Sequence, residues 1–237
     1  MLVSIIVPTL NEESYIASCL KSLQAQTYPK KEIIVCDNGS MDRTVTIAKT
    51  LADGVVAETK KGPANAINRG CSIAKGEIFI TVGADTVLPP EYVSEAVKAI
   101  EGNIGAFANQ SFIEPDCPRL AKLANSFIMF YQRLSVAINR PALSGSGMIF
   151  RREVWQKLGG FRNDVAREDM DFSFRARKLG RFAFIRGHDI KISARRFVGQ
   201  STTALLKTGL RGAWNAVKRS TPENQKEIWL ERQNRPV

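Results

Sequence analysis

Four short runs of apolar, largely β-branched residues recur in the first third of the chain, separated by stretches of helical spacing. No other feature restricts the fold as much. The runs are Leu2 to Val7, Glu32 to Cys36, Val55 to Thr59 and Glu77 to Val82. Between them, Asn11 to Gln26, Asp42 to Leu51 and Pro63 to about Ala74 read as helices, with Asn11 and Asp42 as N-caps. Strands with apolar residues at nearly every position are those buried on both faces, and strands alternating with helices make βαβ units in a parallel sheet. Right-handed crossovers then place all four strand ends on one edge of the sheet. Thr9 and Asn11, Asp37 to Ser40, Lys60 to Gly62, and Asp85 therefore converge on one crevice.

The fourth end, in Gly76 to Pro90 (GEIFITVGADTVLPP), carries the chemistry. Ligands of an open α/β sheet bind beyond the carboxyl ends of its strands, so Asp85 faces solvent and substrate. A carboxylate there suits a hard divalent cation bridging phosphate oxygens. The bland alternative is an Asp that only starts the turn before Pro89.

After Pro90 the alternation loosens. Glu91 to Ile100 reads as a helix, Gly105 to Phe112 as a strand and Leu120 to Ile138 as a long helix. On the long helix, Leu120, Leu123, Phe127, Phe130, Leu134 and Ile138 form a stripe. The stripe is expected to face the core; the alternative is a surface that meets lipid, flanked by Lys122 and Arg133. A flexible loop, Ser144 to Gly147, leads into a strand from Met148 to Arg151. Helices follow over Glu153 to Leu158 and Asp169 to Leu179, then two strands, Phe182 to Ile185 and Ile190 to Ser193. The tail from Thr202 is basic and helical in pattern, with Leu205, Leu206, Leu210, Trp214 and Val217 against Lys207, Arg211, Lys218 and Arg219.

Over 237 residues, 34 Lys and Arg stand against 23 Asp and Glu, a formal charge of +11 that favours an anionic partner. No nucleic-acid recognition motif accompanies it. Cys19, Cys36, Cys71 and Cys117 have neither CxxC nor metal-ligand spacing and read as core residues of a reducing compartment. No apolar run is long enough to span a bilayer. The expected place is the cytoplasm, with peripheral contact at the inner face of the membrane.

Six segments in order, VSIIVPTLNEE (Val3 to Glu13), IIVCDNGSMDRT (Ile33 to Thr44), KGPANAINRG (Lys61 to Gly70), GEIFITVGAD (Gly76 to Asp85), SGSGMIFRREVWQKLGGF (Ser144 to Phe161) and REDMDF (Arg167 to Phe172), resemble family 2 glycosyltransferases of the GT-A fold. The resemblance implies an α/β domain over residues 1–200, its mostly parallel sheet flanked by helices. Residues 1–102 would form a nucleotide-binding half and 103–200 an acceptor half, with 201–237 a basic helical tail. It implies transfer of a sugar from a UDP- or GDP-linked donor to an acceptor hydroxyl, with inversion and with Mn²⁺ or Mg²⁺. Carried over residue by residue, Thr9, Glu12, Asp37 and Ser40 would hold base and ribose, with Lys61, Gly62 and Asn65 nearby. Pro8, Asn11, Gly39 and Ala84 would complete the donor pocket. Asp85 would bind the metal; Gly145, Ser146 and Gly147 would line the acceptor and sugar side with Glu168; Asp169, next to Glu168, would be the general base. The run Ser193-Ala194-Arg195-Arg196 is similar to that of a subset of small bacterial and archaeal members, and paired arginines suit a diphosphate. The basic tail and the apolar helix point to a lipid- or membrane-linked acceptor.

Two departures from the family pattern matter. Gly83 stands where the metal motif has its first Asp, and Ser193 where some members carry a metal-binding His; the only histidine, His188, precedes that strand in a loop. A degenerate nucleotide-sugar-binding protein and a sugar-1-phosphate nucleotidyltransferase remain alternatives. The second should carry a basic, Gly-rich loop after the first strand, where this chain has PTLNEE.

Overall fold

Each of the four apolar runs forms a strand. The computed structural model describes residues 1–114, 117–143, 146–165 and 167–195. β1 (Val3–Thr9), β2 (Lys31–Asp37), β3 (Gly54–Ala57) and β4 (Ile78–Thr81) alternate with α1 (Ile16–Gln24), α2 (Thr44–Leu51) and α3 (Pro63–Ile73). The later elements are β5 (Thr86–Val87), α4 (Tyr92–Ala99), β6 (Gly105–Phe112), α5 (Arg119–Ala137), β7 (Met148–Arg151), α6 (Arg152–Leu158), α7 (Glu168–Ala176) and β8 (Phe182–Ile192).

All eight strands share one sheet, in the order β3-β2-β1-β4-β7-β6-β8-β5. The β3-β2-β1-β4 half is parallel throughout. β7 then runs antiparallel to both β4 and β6, β8 is parallel to β6, and β5 closes the edge antiparallel to β8. Four of seven pairings are parallel, so the sheet is mixed and mostly parallel, as expected, with three of the four in its first half.

Alternation along β1 divides the core between the two faces. Val3, Ile5 and Val7 pack with Ile16, Leu20 and Leu23 of α1 and Tyr92, Val93 and Ala96 of α4. Ile6 faces the other way, with Ile67 and Cys71 of α3 and the aromatic group Phe79, Phe150, Phe161 and Phe172. Within that group Phe161 and Phe172 stack at 4.2 Å between ring centres, which fixes α7 to the end of α6. All four cysteines are buried, and none forms a disulfide among the described residues, as their spacing indicates.

Four expectations are corrected. α1 begins at Ile16, and Asn11 is not its cap: it sits at φ +51° in the left-handed region, which Asn tolerates better than most residues. Phe182 to Ser193 does not hold two strands but one, β8, with a bulge. Opposite Ala108 to Gln110 of β6, the partner jumps from Ile185 to Ile190, and Gly187 at φ +77° makes the turn. His188 therefore lies within β8, half-buried in that bulge. The stripe on α5 faces outward: Leu123, Phe127, Phe130 and Ile138 are 60–71% exposed, while the helix buries Ala121, Met129, Gln132 and Ser135.

Candidate active site

The carboxyl ends of β1 and β2 are joined by hydrogen bonds from side chain to backbone. Thr9 and Asp37 are paired in register, and the Asn38 amide donates to the Thr9 carbonyl at 2.9 Å. Asp37 Oδ2 accepts the Gly39 and Ser40 amides at 3.0 Å each, shaping the turn after β2. Across the gap, the Asn11 amide donates to Ser40 Oγ and Asn11 Oδ1 accepts from the Met41 amide, each at 2.9 Å. This cross-link accounts for the left-handed backbone at Asn11 and is what displaces the start of α1. The Glu12 amide donates to Thr44 Oγ1, while Asp42 Oδ1 accepts the Thr44 amide at the start of α2. Hydrogen bonds to Asp42 outweigh its partial burial and hold its carboxyl below the ordinary value. Pro8 continues β1 within this edge, and the Thr9 hydroxyl is buried with no partner among the described residues.

Asn38, 1% exposed, organises the third loop. Its Nδ2 donates to the carbonyls of Glu58 and Lys60, its Oδ1 accepts the Gly62 amide, and its carbonyl accepts Lys61 Nζ at 2.8 Å. A side chain on Gly39 would strike Lys61 Nζ at 2.7 Å, so that glycine leaves room for the lysine. Asn65, in the first turn of α3, donates to the Lys61 carbonyl and accepts from Asn163, tying this loop to the segment before α7. Asn38 lies inside the DNGS run, but its central role becomes legible only when the loops are brought together.

The end of β4 meets residues from distant parts of the chain. The Arg195 guanidinium donates to Glu12 Oε1 at 2.5 Å, lies 3.5 Å from Asp85 Oδ2, and stands 4.6 Å over the Tyr15 ring. Burial works against that charge, but the hydrogen bond to Glu12 and the fields of Glu12 and Asp85 outweigh it and hold Arg195 above its usual value. Arg195 is aimed by Glu114, whose carboxylate accepts Ser193 Oγ and the Ala194 amide at 2.5 Å each. These bonds and the nearby Arg195 overcome burial and depress the Glu114 carboxyl. The Asp85 carbonyl accepts the Ser193 amide, closing the turn onto the metal-motif position. Glu114 is a site residue that no sequence motif announced. Ser193, in the place of the family histidine, serves to orient the neighbouring arginine.

Gly83 and Ala84 connect β4 to Asp85. The Gly83 amide donates to Ser146 Oγ at 2.6 Å. A Cβ built on Gly83 would meet only oxygens: Asp85 Oδ1 at 3.0 Å, Thr86 Oγ1 at 3.2 Å and Ser146 Oγ at 3.7 Å. Thr86 Oγ1 is buried and without a partner among the described residues. Gly147, at φ +80°, donates to the Thr81 carbonyl and accepts from Tyr92 Oη at 2.5 Å. Burial pushes the Tyr92 phenol well above its ordinary value, so it stays a donor. A side chain on Gly147 would collide with Ile190 and Tyr92, which explains the glycine.

Glu168 and Asp169 open α7, with Asp171 also in the first turn. Asp171 pairs with Arg175, and Glu168 and Asp169 lie nearest the helix start, where the dipole favours carboxylates and Asp169 Oδ1 accepts the Met170 amide at 2.8 Å. The helix is positioned by Phe172 and by Ser173, whose Oγ accepts the Leu143 amide. Gly145 and Arg196 lie outside the described residues, as does the tail from 196 onward. Among the described residues no group of three or more His, Cys, Asp or Glu gathers to hold a metal.

The family model described as Glycosyl transferase family 2 matches residues 4–159, about two thirds of the chain. The chain belongs to this family. It is 27% identical over 201 residues to the glycosyltransferase AglE of Haloferax volcanii, covering 79% of this chain and 65% of that one. Over 177 residues it is 28% identical to the dolichyl N-acetyl-alpha-D-glucosaminyl phosphate 3-beta-D-2,3-diacetamido-2,3-dideoxy-beta-D-glucuronosyltransferase of Methanococcus voltae, covering 69% and 50%. Among solved structures, a mannosyltransferase of Pyrobaculum calidifontis in complex with GDP-Man and Mn²⁺ superposes with a TM-score of 0.66 at 27% identity, over 82% of this chain and 58% of that chain. The fold is GT-A. This family 2 chain spans between half and two thirds of the length of these three relatives.

Proposed function

We propose that this family 2 chain transfers a sugar, with inversion, from a UDP- or GDP-linked donor to a hydroxyl of a lipid-linked acceptor. One observation carries the reading: Asp85, at the end of a parallel strand, shares a single arginine with Glu12 of another strand end. Such a cluster suits a diphosphate, whose planar arginine partner binds two oxygens at once. The donor base and ribose fall to Pro8, Thr9, Asn11, Glu12, Asp37, Gly39 and Ser40, with Lys61, Gly62 and Asn65 beside them. Asp37 can still accept a ligand bond, since a carboxylate has about four lone-pair sites and the turn uses only some of them. The mannosyltransferase crystallised with GDP-Man supports a nucleotide-sugar partner, and the dolichyl-phosphate relative supports a lipid-linked acceptor.

A divalent cation fits the residues present. The three oxygens nearest a Cβ on Gly83, among them the unpartnered Thr86 hydroxyl and the Asp85 carboxylate, form a hard-donor environment. Mg²⁺ keeps several waters and takes few protein ligands, so one carboxylate suffices. Asp85 would hold Mn²⁺ or Mg²⁺, which when bound supplies positive charge against the diphosphate. The remaining chemistry belongs to side chains. Asp169 takes the proton as the acceptor oxygen bonds to the anomeric carbon, with Glu168 beside it. The carbon–oxygen bond to the diphosphate breaks on the opposite face, and the diphosphate leaves with that electron pair, its growing charge met by Arg195. Ser146 and Gly147 line the sugar side. Four buried cysteines outside any disulfide among the described residues suit a reducing, cytoplasmic setting.

The test is sugar transfer and donor hydrolysis with Mn²⁺ on the wild type and on Asp169→Asn, with donor binding followed by thermal shift. Removing a general base should lower turnover by about 10²- to 10⁴-fold while the donor still raises the melting point. Turnover equal to wild type would overturn the assignment of Asp169. Donor binding without any turnover by the wild type would favour a degenerate binding module, for which Gly83 is the motivating feature.

A further inference from the structure

α5 is inside-out. Its buried side carries Gln132 and Ser135 with Ala121 and Met129, and Asn125 Nδ2 donates to the Gln110 carbonyl of β6 at 2.7 Å. Its outer side carries Leu123, Phe127, Ile128, Phe130, Tyr131, Leu134 and Ile138, all exposed. Side chains of this size leave on the order of 500 Å² of apolar surface in one stripe, in the range where a monomer's largest patch is often functional. Between α5 and β6 a cavity of about 480 Å³, lined by Gln110, Glu114, Lys122 and Arg133 among others, opens along the helix. Its wall reaches the candidate site twice: Gln110 Nε2 donates to the Ser146 carbonyl, and Glu114 aims Arg195.

Charge decides what the stripe meets. α5 contains Arg119, Lys122 and Arg133 and no acidic residue. At its N-terminal turn Ala121 packs with Cys117 and Ala194, so the chain continues past Arg195 from beside this helix. Residues 202–219, which follow, contain Lys207, Arg211, Lys218 and Arg219 and no acidic residue, and residues 220–237 balance Glu223, Glu227 and Glu231 with Lys226, Arg232 and Arg235. Laying residues 202–219 on α5, or pairing α5 with α5 of a second copy, would set cation against cation, and residues 220–237 bring no net negative charge to offset it. A bilayer of anionic phospholipid complements both at once: apolar side chains enter the headgroup boundary while lysines and arginines meet phosphates.

We infer that the exposed face of α5 docks on an anionic membrane surface and brings the cavity between α5 and β6 to the lipid boundary. The inference extends the lipid-linked acceptor reading, but its test measures docking without turnover, so the two fail separately. Full-length protein is floated with phosphatidylcholine vesicles and with vesicles that also contain phosphatidylglycerol, alongside a Leu123→Glu/Phe127→Glu double variant. Both positions are about 70% exposed, so the variant should keep the wild-type circular dichroism. Expected is flotation of the wild type with the anionic vesicles only, and partitioning about tenfold or more weaker for the double variant. Wild type that does not float, or a variant that floats equally well, would overturn the inference, the second outcome assigning binding to the tail. A wild-type dimer that the double substitution makes monomeric, with flotation unchanged, would assign the face to a second copy and also overturn it.

Discussion

Replacing Arg195 by Ala tests the convergence at the heart of the site. The substitution removes the guanidinium between Glu12 and Asp85 and leaves two carboxylates facing each other without a cation. Side-chain exposure is 30% for Arg195, 15% for Glu12 and 19% for Asp85. Loss of one partner costs about 3–5 kcal/mol in a fully buried pair and about 0–1 kcal/mol at the surface. The intermediate burial places this pair at about 2 kcal/mol, and the stacking on Tyr15 adds roughly 0.5–1 kcal/mol. At about 2–4 °C per kcal/mol for a chain of this size, the melting temperature should fall by roughly 5–12 °C. Differential scanning fluorimetry with and without Mn²⁺ separates mechanism from mere destabilisation. A cation beside Asp85 replaces the lost charge, so Mn²⁺ should raise the melting point of Arg195→Ala by more than it raises that of the wild type. Adding Glu12→Gln removes one of the stranded carboxylates and should recover part of the loss, since the two sites are in contact. A melting point within about 1 °C of wild type, well under what 1 kcal/mol would shift, would refute the reasoning. So would an Mn²⁺ response identical in both proteins.

Two further outcomes follow from the same geometry. Gly83→Asp restores the family's first carboxylate next to Asp85 Oδ1, so the variant should melt lower than wild type without cation and bind Mn²⁺ more tightly by calorimetry; unchanged affinity would mean that Asp85 does not face the cation. The Glu114 carboxyl titrates below its ordinary 4.5, so its contribution to stability is complete above about 4.5 and lost as pH falls through the depressed folded value. Glu114→Gln should therefore melt lower than wild type at neutral pH, with the difference narrowing in acid, and a gap that stays constant with pH would exclude the ionised carboxylate as the cause.

The parallel half of the fold was legible because its information is local. An apolar run such as Ile5 to Val7 can only be a buried strand, and helical spacing at Ile16, Cys19, Leu20 and Leu23 names the buried face that α1 presents. What sequence could not supply was the identity of partners across space. The period of α5 marked a stripe correctly but not which side other elements cover. Asparagine and serine amid apolar residues read as the outer face, yet here Asn125 bonds the Gln110 carbonyl, Ser135 Oγ accepts the Ala142 amide, and Gln132 is buried. Asn11 reads as a cap until Ser40 and Met41 offer it stronger partners. A bulge at Gly187 looks like a gap between two strands because the residues that loop out are polar. Glu114 lies outside every motif quoted, and only the return of β8 shows that it aims Arg195.

The Asn11, Asn38 and Asp37 loops and the Arg195 clasp differ in the force that holds them. Amide-to-backbone bonds fix the first three loops, and most of them involve no net charge. The clasp is an ion pair and weakens as dissolved electrolyte screens it. The turns held by neutral amides therefore keep their shape as salt changes, while the clasp on Glu12 loosens with ionic strength, and this single pocket combines a fixed template with an adjustable jaw.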